Sequence, residues 1–483
     1  MKWVGFKLVC CVVAAGLMWG ASQQSESFLD YVRDPDLMAE HAEQSRQHEA
    51  EVNALVQTPE GVVQFVDTAV FSPTSNYDVW MYQRVSRNLG EKIYPRVIEI
   101  LKDPELRERL HSVRESPDDL DDGPMVRLCD LLDNDRALPA EIVLLLEPFM
   151  TAESDEIRKN LAMVVAQSGR PESLATITLG LGDEDDYVRS YVLMGLRRAL
   201  DAERLYTALR DPVFKLVAEM WPKDRAFSVC NDIPRVLLSL DRERGVARLT
   251  ESDVFTAKFE PVWRILGAFE DHDVSVERET LFALKEGFEV GKLDFPADAG
   301  LAAVLALLGE HRHADDLALL EGYLDHEEAR VVDGAISGLY RYHRFDERVR
   351  DVWDARDELG WDKLTDAERH ILAVWILDGQ VNNGGFDLFF FNSAGDYYED
   401  ALAGLAAIKA TKHHAILKSA SDRFGNAGPS KDPDVRIDQL SVIARKSEDP
   451  FEAEDSAWYE DKDENLSLLL FRYDIANTAG RER

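Results

Sequence analysis

Two imidazoles and two carboxylates fall within six residues at His311-Arg312-His313-Ala314-Asp315-Asp316, and these are donor types that divalent metals accept. On one continuous helix His311 and Asp315 share a face, so a ligand pair is geometrically allowed. A solvated end between helices is the expected reading. His41 and His48, seven apart beside Glu40 and Glu49, share a helix face in the same way, but on a charged and solvated surface. His413 and His414 are neighbours that face opposite ways in any regular structure and cannot readily chelate together. Asn383, Asp387 and Asn392 surround a bend, where capping and backbone hydrogen bonding are the ordinary work of such side chains. No set joins a nucleophile to a base, and the sequence has no Gly-x-Ser-x-Gly elbow, phosphate loop or His-Glu-x-x-His. The expectation is no catalytic residue, no metal, no cofactor and no enzymatic activity.

The elements that would position these groups read as helices. No stretch sustains the period-two alternation of a sheet, so the predicted fold is all-α. Thr365-Asp366-Ala367-Glu368 is a capping box, opening a helix through Ile371, Leu372 and Trp375 that is expected to end at Gly379. Asn382-Asn383-Gly384-Gly385 then demands a tight bend, because Asn and Gly tolerate positive φ. Phe386, Phe389, Phe390 and Phe391 follow at once, and so much apolar ring demands burial. Further helices are predicted over about 397–408, 413–424, 435–446 and 466–477.

Charge narrows the partners. The 483 residues carry 55 basic and 91 acidic side chains, a formal net of −36, which opposes direct binding to nucleic acid or an anionic membrane. A basic protein partner fits that charge. A 45% hydrophobic fraction is ample for packed cores, and the length suggests about three domains. Lys2 and Lys7 make a short basic region before a run from Leu8 to Trp19 that is almost wholly apolar and is followed by Gly20-Ala21-Ser22. It is shorter than the roughly 18 residues of a spanning helix, so residues 1–22 read as a signal peptide and the protein as exported. An N-terminal anchor is the alternative. Cys10 and Cys11 invite lipidation, although Val9 is larger than the residue that normally precedes a lipidated Cys. Cys129 and Cys230 are the other cysteines, and apolar helical surroundings favour two buried thiols.

Three regions follow the leader. Residues 23–135 form an N-terminal helical region punctuated by Pro73, Pro95 and Pro104, with Tyr77, Trp80 and Tyr82 as an aromatic cluster and an acidic loop near its end. Residues 139–350 repeat weakly. Asp155-Glu156-Ile157-Arg158 recurs 31 residues later as Asp186-Tyr187-Val188-Arg189, with looser echoes at Asp273 and Glu327. In a helix-pair array the acid caps the helix, the β-branched residue packs inward and the Arg reaches a neighbouring repeat. This resembles the HEAT-repeat family, which implies a scaffold or protein-binding surface.

Residues 356–483 form the third region. Val381 to Asp387, then Phe389, Asn392-Ser393 and Gly395, resemble the hallmark of the DNA-mimic-protein (DUF4375) C-terminal-domain family, with Trp458-Tyr459 and a closing helix falling where that family has them. Leu388 departs from the Gln expected there. The resemblance implies an all-α domain whose motif residues Asn382, Asn383, Gly384, Gly385, Phe386, Asp387, Phe389, Asn392 and Gly395 are mainly structural. It also implies a protein partner, since the family's best-understood member occupies the DNA-binding face of a regulator. Acid is concentrated in Glu448, Asp449, Glu452, Glu454, Asp455, Glu460, Asp461, Asp463 and Glu464, the candidate binding surface. The expected function is an exported interaction or scaffold protein, with a DNA-mimic inhibitor as the alternative.

Overall fold

A computed structural model describes residues 48–72, 76–111, 123–133, 136–290, 295–445, 449–461 and 464–478. Among them every regular element is an α- or 3-10 helix, and none is a strand. The fold is all-α, as the missing alternation predicts. The leader, His41 and most of the acidic loop before 135 lie outside the described residues. No described helix is long and apolar enough to cross a membrane.

The chain divides into two compact units. One holds 45–308 with 327–334, the other 309–326 with 335–483. The N-terminal helices and most of the repeat region therefore share the first unit. Two of the boundaries fall inside helices Ala297–His311 and Ala329–Tyr342, and the third, at 326/327, lies between helices.

In the first unit, Pro95 and Pro104 start helices Tyr94–Lys102 and Pro104–Leu110, where a missing N–H costs nothing. Phe65 packs edge-on against Tyr82 at 5.5 Å. The repeated motif has a clear physical role. Helix Asp155–Gln167 is capped by Ser154 and helix Asp186–Asp201 by Asp185, one residue before the acid expected to cap. Asp155 and Asp186 instead sit in the first turn, beside the positive end of the helix dipole. Ile157 and Val188 are buried. Arg158 grips Asp183 through Nε and Nη2 at 2.8 and 3.1 Å, while Nη1 donates to the carbonyls of Ala152 and Glu153. Arg189 repeats this on Asp224 at 2.6 and 3.3 Å, with the carbonyls of Asp183 and Glu184. Each rung ties the loop before its own helix to a loop further on. Cys129 and Cys230 are free and buried, and burial pushes both thiols up.

In the second unit the core is aromatic. Phe386, Phe389 and Phe390 are fully buried, with Phe390 at 4.7 Å from Phe424 and 5.8 Å from Phe451. Trp458 meets Phe386 edge-on at 5.5 Å. Phe391, the fourth aromatic of the run, stays exposed.

Candidate functional site

Thr365 and Glu368 form the expected capping box at the start of Asp366–Phe391. The helix does not stop at Gly379. It runs on to a kink at Gly384 and Gly385, since an isolated glycine within a helical pattern is tolerated, and the only non-helical backbone inside it is at those two residues. Gly385 is the residue that makes the bend: its φ of 73° and ψ of −175° suit glycine alone. A Cβ there would also lie 2.5 Å from Asp455 Oδ2. Gly384, at φ −173°, is merely extended.

The kink opens the helical hydrogen-bond ladder, and side chains from far along the chain close it. Phe386 N donates to Asp455 Oδ1 at 2.8 Å. Tyr459 Oη donates to the Val381 carbonyl at 2.6 Å. Asn382 Nδ2 donates to Asp378 at 2.8 Å and Asn392 Nδ2 to Gln380 at 2.8 Å. Asn383 is exposed. The far end of the phenylalanine run is held by Arg436, which has no solvent exposure. It donates to the carbonyls of Phe390 (2.7 Å), Asn392 (3.1 Å) and Ser430 (2.6 Å) and to Asp396 (2.7 Å). Gly395 leaves room for it, since a Cβ would stand 2.7 Å from Arg436 Nε. Gly385, Phe386, Phe389, Asn392 and Gly395 thus build backbone and core, while Asn382, Asn383 and Asp387 keep exposed surface.

The acidic segment is divided by its contacts. Glu448 and Asp463 lie outside the described residues. Glu454 is buried on Arg423 and Ser419 at 2.7 Å each, and Asp455 serves the kink. Glu464 crowns helix Thr411–Asp422: its oxygens accept from Thr411 Oγ1 and Lys412 N at 2.9 Å and from His413 N at 3.2 Å. Burial alone would raise its pKa, but these donors hold the carboxyl down to about 2. Asp461 lies 3.5 Å from His413 Nδ1 and 3.3 Å from Lys412 Nζ. Asp449, Glu452 and Glu460 keep exposed surfaces. Asp387 is exposed on one side, yet desolvation of its carboxyl, followed by the charges of Asp449 and Asp455, pushes it up to about 6.

His413, Asp461 and Glu464 bring one nitrogen and two carboxylate oxygens within 4.8 Å of one another, a donor set that fits a small divalent cation. The cluster already has its positive charge from the Lys412 ammonium and the helix N-terminus. Two carboxylates facing Nδ1 assign the imidazole hydrogen to that atom, and the ring stands edge-on to Trp458 at 4.4 Å. Adjacency to His414 gave no hint of this, because the partners lie about fifty residues on. His313 instead caps helix Ala314–Gly322, accepting from Asp315 N at 3.3 Å. His311 ends the preceding helix, so His311 and Asp315 do not share one. In the first unit an open groove of about 510 Å³ is lined by Phe255, Leu284, Phe288 and Val290, with Lys258 as its charged residue. It holds no acid–base pair.

Residues 362–477 match the family described as DMP19-like protein. The match takes in the kink, Arg436 and the His413 cluster, and covers about a quarter of the chain. A crystal structure of an engineered protein is similar over 80% of this chain and 99% of its own at 14% identity, but its TM-score of 0.24 carries no argument. No curated protein matches.

Proposed function

We propose that this is an exported, acidic, non-catalytic protein that binds another protein, with HEAT-like repeats as a scaffold and the DMP19-like region as a second binding module. The observation that carries the reading is the DMP19-like match on a region whose hallmark residues build core and backbone rather than line a reacting cleft. The acids left with exposed surface, Asp449, Glu452 and Glu460, are the face offered to a basic partner. A pull-down with full-length protein tests this, comparing wild type with the triple change Asp449→Asn, Glu452→Gln and Glu460→Gln. Loss of basic partners that also elute with salt is expected. An unchanged partner set overturns the acidic-face assignment.

The same match supports a second reading, an inhibitor that imitates DNA on the DNA-binding face of a regulator. Mimicry needs dense acid in register on one surface, and Glu454, Asp455, Asp461 and Glu464 are engaged inside the unit. Cell fractionation with N-terminal sequencing separates the readings. A chain lacking residues 1–22 outside the cytoplasm removes the mimic, whereas an uncleaved cytoplasmic chain removes export.

A further inference from the structure

Three helices of the first unit place their fourth residue at one structural post: Arg158 in Asp155–Gln167, Arg189 in Asp186–Asp201 and Cys230 in Phe227–Leu240. All three reach a carbonyl six residues back, Cys230 through Sγ to the Asp224 oxygen at 2.8 Å. The cysteine can go no further, so the third rung has no guanidinium of its own. Beyond the next helix, Arg242–Leu249, helix Val262–Asp271 carries Arg264, whose charge acts on that thiol through space.

Arg264 differs from the rungs. It is only 7% exposed, its Nε has no hydrogen-bond partner, and Glu260 acts on it only through space. Its guanidinium lies 4.5 Å from the centre of the Phe227 ring and 4.7 Å from that of Trp263. Stacking of this kind occupies the faces of the guanidinium and leaves its in-plane N–H edge for an acceptor. Phe227, although it covers a buried cation, is itself 66% exposed. Phe295, also exposed, continues the aromatic surface 5.8 Å from Trp263, with Arg330 over its ring at 5.2 Å. Buried charge without a partner is costly, and scattered surface rings seldom gather around one.

We propose that Arg264, flanked by Phe227 and Trp263, anchors a carboxylate side chain from an acidic segment of a partner protein. A carboxylate matches the two-pronged N–H edge, and the rings give the side-chain stem an apolar bed. The net charge of −36 opposes a polyanion such as nucleic acid far more than a single carboxylate. The site lies in the first unit and takes an acidic ligand, so it stands or falls apart from the basic partner assigned to Asp449, Glu452 and Glu460.

Fluorescence anisotropy on the full-length protein tests it, with a fluorescein-labelled Glu/Asp-rich peptide as probe, its Gln/Asn counterpart as control and inorganic phosphate as competitor. Arg264→Lys keeps the charge and loses the two-pronged edge, and should weaken binding roughly tenfold. Phe227→Ala, at an exposed ring, should weaken it several-fold, and decides the matter if Arg264→Lys does not fold as judged by circular dichroism. Arg244→Lys, at an arginine stacked on Phe214 but already paired with Asp211, should bind like wild type. The proposal is overturned by a wild type that does not bind the probe saturably, by equal affinity for the Gln/Asn peptide, or by folded variants that bind unchanged. Displacement by phosphate at concentrations that leave the chloride control unaffected overturns the assignment to a carboxylate.

Discussion

Arg158 and Arg436 both hold loops in place, and they do so under different rules. Arg158 is one rung of a series: Arg189 repeats its two-pronged grip and its two carbonyl bonds almost atom for atom. Load in such a ladder is shared, and the array accepts a cysteine at the third post. Arg436 works alone. Three carbonyls and Asp396 meet on one guanidinium that has no exposure at all, and those carbonyls come from the end of one helix, its cap and a distant loop. Periodic backbone can lose a staple locally, whereas a bend held by one latch cannot.

That difference is open to measurement by calorimetry on the full chain. Arg436→Leu should cost the most, about 3–5 kcal/mol, because it strands several buried acceptors at once. Its melting transition should fall well below that of wild type. Arg158→Leu should cost less, about 2 kcal/mol, since Asp183 keeps the Asp185 amide at 3.0 Å and the nearby Arg189 charge. Arg189→Leu should match it within about 0.5 kcal/mol if the rungs are equivalent. A loss at Arg158 as large as that at Arg436 breaks the comparison.

The same contrast explains what was legible in the sequence. The capping box spans four residues, so Thr365 and Glu368 announced it, and the shared four-residue motif announced that Arg158 and Arg189 bond alike. Gly385 was visible as a bend because few residues but glycine adopt its backbone. Gly379 misled, since an isolated glycine inside a helical pattern is tolerated and this one stays within the helix. Arg436 and the His413 cluster were not legible. Their partners lie about forty to fifty residues away, and a long-range hydrogen bond leaves no local pattern. The acidic run read as one surface for the same reason: counting carboxylates does not reveal that Glu454 already has Arg423 and Glu464 a helix end.

Carboxylates in the two regions should also respond to pH with opposite sign. Asp183, on the ladder, is opposed by burial, but the Arg158 hydrogen bonds, with an amide bond and nearby arginine charge, hold its pKa below the ordinary value. Its contribution is present above that ordinary range and is lost as pH falls through its folded pKa. Asp387, at the kink, goes the other way. Burial first, then Asp449 and Asp455, raise it from 3.8 to about 6, so between those values the native state holds more protons than the unfolded chain. Its contribution is complete below the lower value and is lost as pH rises through the upper one. Asp387→Asn removes that loss. Because one side of Asp387 faces water, screening trims the gain to a few tenths of a kcal/mol and at most about 1 near neutral pH. Urea midpoints of wild type and variant should therefore coincide below the ordinary value of 3.8 and separate, with the variant higher, as pH rises from there to about 6, the gap staying constant above it. A variant that is less stable at neutral pH means that the ionised Asp387 carboxylate supports the kink, which would align the kink with the ladder.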